Sequence, residues 1–196
     1  MSKQYDQAYF DRWYRDPAHR VITAKGLRRK VAMVVAVAEH FLRRELRSVL
    51  DVGCGEAPWR AELRRLRPRL SYLGLDASDY VVRRFGRSRN IRQAGFGELE
   101  KVVGEKQFDL IVCSDVLHYI AEPDLRTGLA AMAGALSGLA FLEVLTKEDD
   151  PEGDLTGFLK RSASFYRLIF EEAGLRSVGL HCYLGPQLGH VPTALE

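Results

Sequence analysis

The chain has 196 residues, 46% of them apolar, and a formal net charge of +3 at pH 7, enough apolar material for one compact core. No apolar run reaches the roughly 18 residues that cross a bilayer, and Met1-Ser2-Lys3-Gln4 begins no secretory leader. Cys54, Cys113 and Cys182 are too few and too scattered for a disulfide framework or a metal site, so the expected setting is a reducing cytoplasm, without membrane or metal.

The first 25 residues crowd Tyr5, Tyr9, Phe10, Trp13 and Tyr14 into a short polar stretch. Their spacing fits one face of a helix docked on a sheet edge, yet groove filling alone needs fewer hydroxyl-bearing aromatics. Val31 to Leu46 reads as a helix with Val31, Val34, Val35, Ala38, Phe41 and Leu42 on one face. Charge is uneven: residues 1–70 hold 16 Lys and Arg against 8 Asp and Glu, residues 71–196 hold 13 against 18. The excess lies in Arg28-Arg29-Lys30, Arg43-Arg44 and the Arg60, Arg64, Arg65, Arg67, Arg69 series. Solvated helix faces account for most of it. A positive face for an acidic substrate or nucleic acid is the competing reading, and the lack of aromatic–basic alternation makes nucleic acid the weaker one.

Val49-Leu50-Asp51-Val52-Gly53-Cys54-Gly55-Glu56-Ala57 is the most informative stretch. Val49, Leu50 and Val52 suit a buried strand, and Gly53 and Gly55 allow a tight turn and close backbone approach to a ligand. Pro58 to Leu66 then reads as a helix with proline in its first turn. Strand, glycine turn and helix is how an open α/β sheet holds a nucleotide-like ligand. Tyr72-Leu73-Gly74-Leu75-Asp76 reads as a second strand, ending in an acid about 20 residues on, where it can accept both ribose hydroxyl protons. A dinucleotide fingerprint wants glycine at position 58, but the chain has Pro58, and Asp51 in the loop is a poor neighbour for phosphate. Asp51 and Asp76 together favour a ribosyl ligand with positive charge and no phosphate, which S-adenosylmethionine satisfies.

With these residues and those that follow, the chain resembles the class I S-adenosylmethionine-dependent methyltransferases from about Val49 to Val144. Asp51-Val52-Gly53-Cys54-Gly55 is similar to the family's glycine loop, and Asp76 matches its ribose-binding acid. Phe108 to Asp115 resembles the fourth strand, which ends at the active site, and Leu142-Glu143-Val144 the close of the fifth. Ala57 stands where the family often has glycine, and Gly95-Phe96-Gly97-Glu98 where many members have Gly-Asp after a third strand, here Asn90 to Ala94. The resemblance implies a single doubly wound, mostly parallel seven-stranded sheet with an antiparallel last strand and helices on both faces. It implies cofactor contacts from Asp51, Gly53, Cys54, Gly55, Asp76, Ala77, Phe96, Gly97, Glu98, Ser114 and Asp115. In several families of the fold an N-terminal helix closes over the cofactor, which assigns Trp13 to it and Tyr14 to the reacting groups.

Thr146 to Asp154 is an acidic, proline- and glycine-marked loop over the carboxyl edge of the sheet, either a solvated connection or an attractor for a cationic substrate. Ser162 to Ala173 reads as a helix, Arg176 to Tyr183 as a strand, and Gly189 to Leu195 as the last strand, with the turn at Gly185-Pro186. The expected organisation is one methyltransferase domain over 1–196: a helical cap over 1–47, a cofactor-binding core over 48–145, and acidic loop, helix and C-terminal hairpin over 146–196.

Methyl transfer from a sulfonium needs approach geometry and desolvation, and a base only when the nucleophile carries a proton. Asp115, His118 and Tyr119 are the candidates; His118 has the most suitable ordinary pKa, while a packed imidazole and, for Asp115, a helix N-cap are the plainer roles. No Asn-Pro-Pro-Tyr or Pro-Cys arrangement follows the fourth strand, which counts against base amino groups, glutamine and pyrimidine C5 as acceptors. The expected activity is therefore direct methyl transfer to a small-molecule acceptor by a monomer or homodimer. The alternatives are a non-catalytic cofactor-sensing or scaffold protein, a methyltransferase acting on protein or nucleic acid, and a reductase-like nucleotide binder.

Overall fold

The computed structural model describes residues 5–19, 22–150 and 154–188. Seven strands form one sheet: β1 (Ser48–Val52), β2 (Ser71–Asp76), β3 (Ile91–Gln93), β4 (Phe108–Ser114), β5 (Leu136–Glu143), β6 (Arg176–Gly179) and β7 (Cys182–Leu184). Their order is β3-β2-β1-β4-β5-β7-β6; β1 to β5 pair in parallel and β7 runs antiparallel to both its neighbours. This is the expected sheet. β1 is flanked by β2 and β4, so the chain reverses its direction of winding between them, and a crevice opens beyond their carboxyl ends.

The near-continuous apolar runs follow from burial of both sheet faces, because successive side chains point to opposite sides. Leu50, Val52, Leu73, Leu75, Ile111 and Cys113 pack into one core with α5 (Leu99–Val103), α6 (Glu122–Gly134) and α7 (Ala163–Glu172). Val49, Tyr72, Leu110, Val112, Leu139 and Phe141 face the other, against α1 (Gln7–Phe10), α2 (Ala24–Leu42), α3 (Pro58–Leu66) and α4 (Asp79–Arg89). Each fully buried Leu, Ile or Val contributes about 1.5–3 kcal/mol of transfer free energy, which makes these two layers the main source of cohesion.

Local chemistry sets several boundaries differently from the apolar pattern. Helix α2 starts at Ala24, not Val31, because the Thr23 side chain accepts from the Gly26 N–H at 3.0 Å; it stops at Leu42, where Arg43 turns left-handed at φ 53°. The N-terminal aromatics do not form one regular helix: Asp6 caps α1, which passes into a wider π-helical turn over Asp11–Arg15. The expected strand over 176–183 is a hairpin instead. Leu180 and His181, at φ 54° and 59°, make the tight turn between β6 and β7, so Gly185-Pro186 is not the hairpin turn. Gly189 to Leu195 lies outside the described residues. At the opposite edge from the crevice, buried Asp109 accepts two bonds from Arg44, at 2.8 and 2.7 Å, and one from the Arg47 N–H at 2.7 Å.

Candidate active site

The turn after β1 lies at the point where the sheet reverses its winding. Gly53 and Gly55 have φ of 67° and 52°, and Ala57 follows at 56°. A Cβ on Gly53 would stand 2.3 Å from Val116 Cγ2, and one on Gly55 would stand 2.7 Å from the Tyr14 hydroxyl. Both positions therefore need glycine on two counts, backbone angle and space. The N–H groups of Gly53 and Cys54 bond the Leu75 carbonyl at 2.8 and 3.0 Å, which fixes the turn to the end of β2.

That end carries Asp76. Its Oδ2 accepts from the Gly55 N–H at 2.7 Å and its Oδ1 from the Ser78 N–H at 2.8 Å. Burial raises its pKa, opposed by these two backbone bonds, and each oxygen keeps a further lone pair for a hydroxyl donor. Asp51 sits within β1 and not in the loop, 3% exposed, and its Oδ2 accepts from the Tyr72 hydroxyl at 2.7 Å. Burial pushes its carboxyl up to about 7, with Tyr72 opposing and Asp76 adding to the rise. Burial also raises the Cys54 and Cys113 thiols, so neither is a thiolate nucleophile.

A cavity of about 500 Å³ opens over these residues. The N-terminal segment roofs it with Tyr5, Tyr9, Trp13 and Tyr14. Tyr14 is 42% exposed, its open surface facing the cavity, while burial of its hydroxyl raises the phenol pKa well above the ordinary value. The roof is pinned at two points. Arg15 donates to both oxygens of Glu56 at 2.7 Å, just past the glycine turn, and the Ser78 hydroxyl donates to the Tyr5 carbonyl at 2.5 Å.

The far wall comes from β4 and β5. Asp115 follows β4 in a left-handed conformation, φ 60°, with its N–H bonded to the Glu143 carbonyl at 3.0 Å. It caps no helix: the short turn over Leu117–Tyr119 follows Val116, without a side-chain cap. Its carboxyl opens on the cavity, and burial followed by repulsion from Glu143 pushes its pKa up to about 6, against the pull of Lys30. Glu143 in turn holds Lys30 Nζ with both oxygens at 2.6 Å and accepts from the Ser114 hydroxyl at 2.5 Å. His118 is 1% exposed, and its Nδ1 accepts from the Leu145 N–H at 3.3 Å. That bond occupies Nδ1, so a neutral ring here carries its proton on Nε2.

Of the residues expected at the site, Trp13, Tyr14, Asp51, Gly53, Cys54, Gly55, Asp76, Ala77, Phe96, Ser114, Asp115 and His118 all line this cavity. Gly97 and Glu98 are not among its lining residues. Glu98 turns back to accept from the Gly95 N–H at 3.2 Å and meets Lys101 at 3.4 Å, while Gly97 abuts Asp124 of α6. Lys30, assigned from its neighbours to a solvated face, instead reaches the cavity wall. Tyr5, Tyr9, Tyr119 and Asp154 also line it. Only the helical phase of Lys30, one residue before buried Val31, distinguishes it from Arg28 and Arg29 in the sequence.

These residues fit S-adenosylmethionine: a glycine turn with no room for a side chain, a ribose-competent carboxylate, and a second acid able to offset a positive charge. No curated protein sequence matches the chain. Residues 50–138 match a family model described as a methyltransferase domain. Several solved structures share the fold. A S-adenosylmethionine-dependent methyltransferase from Clostridium acetobutylicum ATCC 824 superposes with a TM-score of 0.65 at 14% identity, over 89% of this chain and 94% of that one. CalS10, an amino pentose methyltransferase from Micromonospora echinaspora involved in calicheamicin biosynthesis and solved with S-adenosylmethionine bound, gives 0.63 at 16%, over 82% and 92%. A S-adenosylmethionine-dependent methyltransferase from Archaeoglobus fulgidus gives 0.61 at 16%, over 79% and 70%. The chain thus carries a methyltransferase domain over residues 50–138 and shares the fold of these S-adenosylmethionine-dependent methyltransferases.

Proposed function

We propose that the protein transfers the methyl group of S-adenosylmethionine directly, in line, to a small-molecule acceptor bound beneath the N-terminal aromatic roof. The observation that carries this reading is the cavity itself, which brings the glycine turn, Asp76 and Asp115 under one cover of Tyr5, Tyr9, Trp13 and Tyr14. A volume of about 500 Å³ is in the range of small-molecule sites. The small-molecule reading also agrees with CalS10, an amino pentose methyltransferase of the same fold.

The residues divide the work. The Gly53 to Gly55 backbone lets the methionine end approach, and Asp76 accepts the ribose hydroxyls. Asp51 compensates positive charge, and Phe96 and Ala77 border the rest of the nucleoside. When bound, the cofactor supplies a methyl carbon activated by its sulfonium leaving group. The roof excludes water and holds the acceptor in line, which can account for most of the barrier reduction. Asp115 receives a proton where the acceptor has one to lose; His118 supports the Leu145 backbone beside it.

Calorimetric titration with S-adenosylmethionine and S-adenosylhomocysteine, with Asp76→Ala as control, tests this reading. Micromolar binding that the variant loses, followed by labelled-methyl transfer to a small-molecule panel, is the expected result. Tight binding with no transfer to any panel member, or normal binding by the variant, would overturn it.

A further inference from the structure

The charge around the cavity narrows the acceptor. Among the described lining residues four are carboxylic acids, Asp51, Asp76, Asp115 and Asp154, and one, Lys30, is a cation. Lys30 is matched by Glu143, which holds it with both oxygens at 2.6 Å. Asp51 and Asp76 belong to the cofactor end, beside the glycine turn. Asp115 lies within electrostatic reach of Tyr9 and Tyr119, which line the cavity with it. Its carboxylate disfavours an anionic acceptor beside it. It attracts a cation, as the negative faces of aromatic rings also do.

We propose that the acceptor is a primary or secondary amine that enters as its ammonium ion between Asp115 and the tyrosines, and that Asp115 takes the proton that frees the nitrogen lone pair. The proposal rests on the methyl-transfer reading above. An N–H bond of the ammonium breaks, the proton passes to the Asp115 carboxylate, and the electron pair stays on nitrogen. That pair forms the new C–N bond to the methyl carbon as the C–S bond breaks, its electrons remaining on sulfur as the thioether. The product leaves as a methylated ammonium ion, and Asp115 returns its proton to water.

The strength of the base agrees with this choice over an alcohol. The Asp115 carboxyl is pushed up to about 6, so it is ionised at neutral pH. A Lys-like ammonium, at about 10.4, lies about four units above it, whereas a hydroxyl near the value of water, about 15.7, lies about ten above. Asp115 has the geometry to serve, since its backbone is held by Glu143 and, among the described residues, no hydrogen bond occupies its carboxylate.

The test uses wild-type protein saturated with S-adenosylhomocysteine. Matched probes are titrated at pH 7.5: phenethylamine, 2-phenylethanol and 3-phenylpropanoate, then cyclohexylamine, cyclohexanol and cyclohexanecarboxylate. The amine binds at least tenfold more tightly than its alcohol and acid, in one or both skeletons. Asp115→Asn, titrated at saturating S-adenosylhomocysteine, loses at least tenfold of that affinity. Asparagine is at ease at a left-handed position, so this variant keeps the fold, which circular dichroism checks. An alcohol or acid that binds as well as the amine in both skeletons, or normal amine binding by Asp115→Asn, overturns the proposal. Absence of S-adenosylhomocysteine binding by the wild type would instead remove the cofactor reading beneath it, and the two failures are thereby distinct.

Discussion

The hydroxyl of Tyr72 donates to Oδ2 of Asp51 at 2.7 Å, joining the penultimate residue of β1 to the second residue of β2 in a buried wall of the cavity. Without that bond the Asp51 carboxyl, already pushed up to about 7 by burial, would rise further. A cationic ligand prefers the ionised acid, so binding expels a proton wherever the free protein holds one. Affinity for S-adenosylmethionine accordingly falls as pH drops below about 7, approaching tenfold per pH unit. Asp51→Asn flattens the profile and Tyr72→Phe moves it to higher pH. Calorimetry at pH 6, 7 and 8, in phosphate and in Tris, counts the released proton; an unchanged affinity across that range refutes the assignment.

Arg15 and Glu56 clamp the roof rather than stabilise the fold. The Arg15 side chain is 46% exposed and that of Glu56 12%, a setting in which an ion pair contributes at most about 1 kcal/mol. Arg15→Ala should leave the unfolding free energy within that margin yet release cofactor several-fold faster, with an effect that salt mimics. The chain has two tryptophans, Trp13 and Trp59, and both line the cavity, so stopped-flow fluorescence reads the release directly.

Gly53→Ala meets two obstacles, a φ of 67° and a contact of 2.3 Å with Val116 Cγ2. The backbone strain costs about 1–3 kcal/mol, and the clash adds to it. Val116→Ala in the same chain relieves the clash and not the strain. Guanidinium unfolding of the two single variants and the double variant then shows partial recovery; strict additivity would mean that the contact does not matter.

Asp109 anchors the sheet at its other edge. Burial raises its carboxyl, but the bonds from Arg44, the Arg47 N–H and the Ser48 region outweigh it and hold the pKa below the ordinary range. A depressed acid contributes its stability above the unfolded value, near 3.9, and loses it as pH falls through the folded one. Asp109→Asn costs about 1.5–3 kcal/mol at pH 7. Urea unfolding between pH 3 and 7 should show the gap between variant and wild type narrowing below about pH 4.

Much of this arrangement is legible along the chain because burial on both faces leaves a continuous apolar mark. β1, β2 and β4 carry it, and Asp76 and the glycines stand at offsets that local spacing reveals. β3 carries almost none, since Ile91 is buried while Arg92 and Gln93 face solvent at their positions. The β6–β7 turn escapes because Leu180 and His181 hold positive φ without the glycine or asparagine that usually marks it. Glu98 looks like a ligand residue because an acid that closes a turn onto Gly95 reads the same as one that meets adenine. Lys30 is hidden for another reason: its partner Glu143 lies 113 residues away, beyond any local pattern.

That separation also sets an order of assembly. The tyrosines of the roof and the helix bearing Lys30 leave the ribosome long before β4 and β5, which supply Asp115 and Glu143. Local helices form early, whereas pairing across so many residues must await the later strands. Until synthesis passes Glu143, Lys30 lacks its counter-charge and the aromatic segment has no wall to close against. Cofactor capture is therefore one of the last properties the growing chain acquires, and S-adenosylmethionine in the translation mixture meets a formed site only on chains extended beyond that strand.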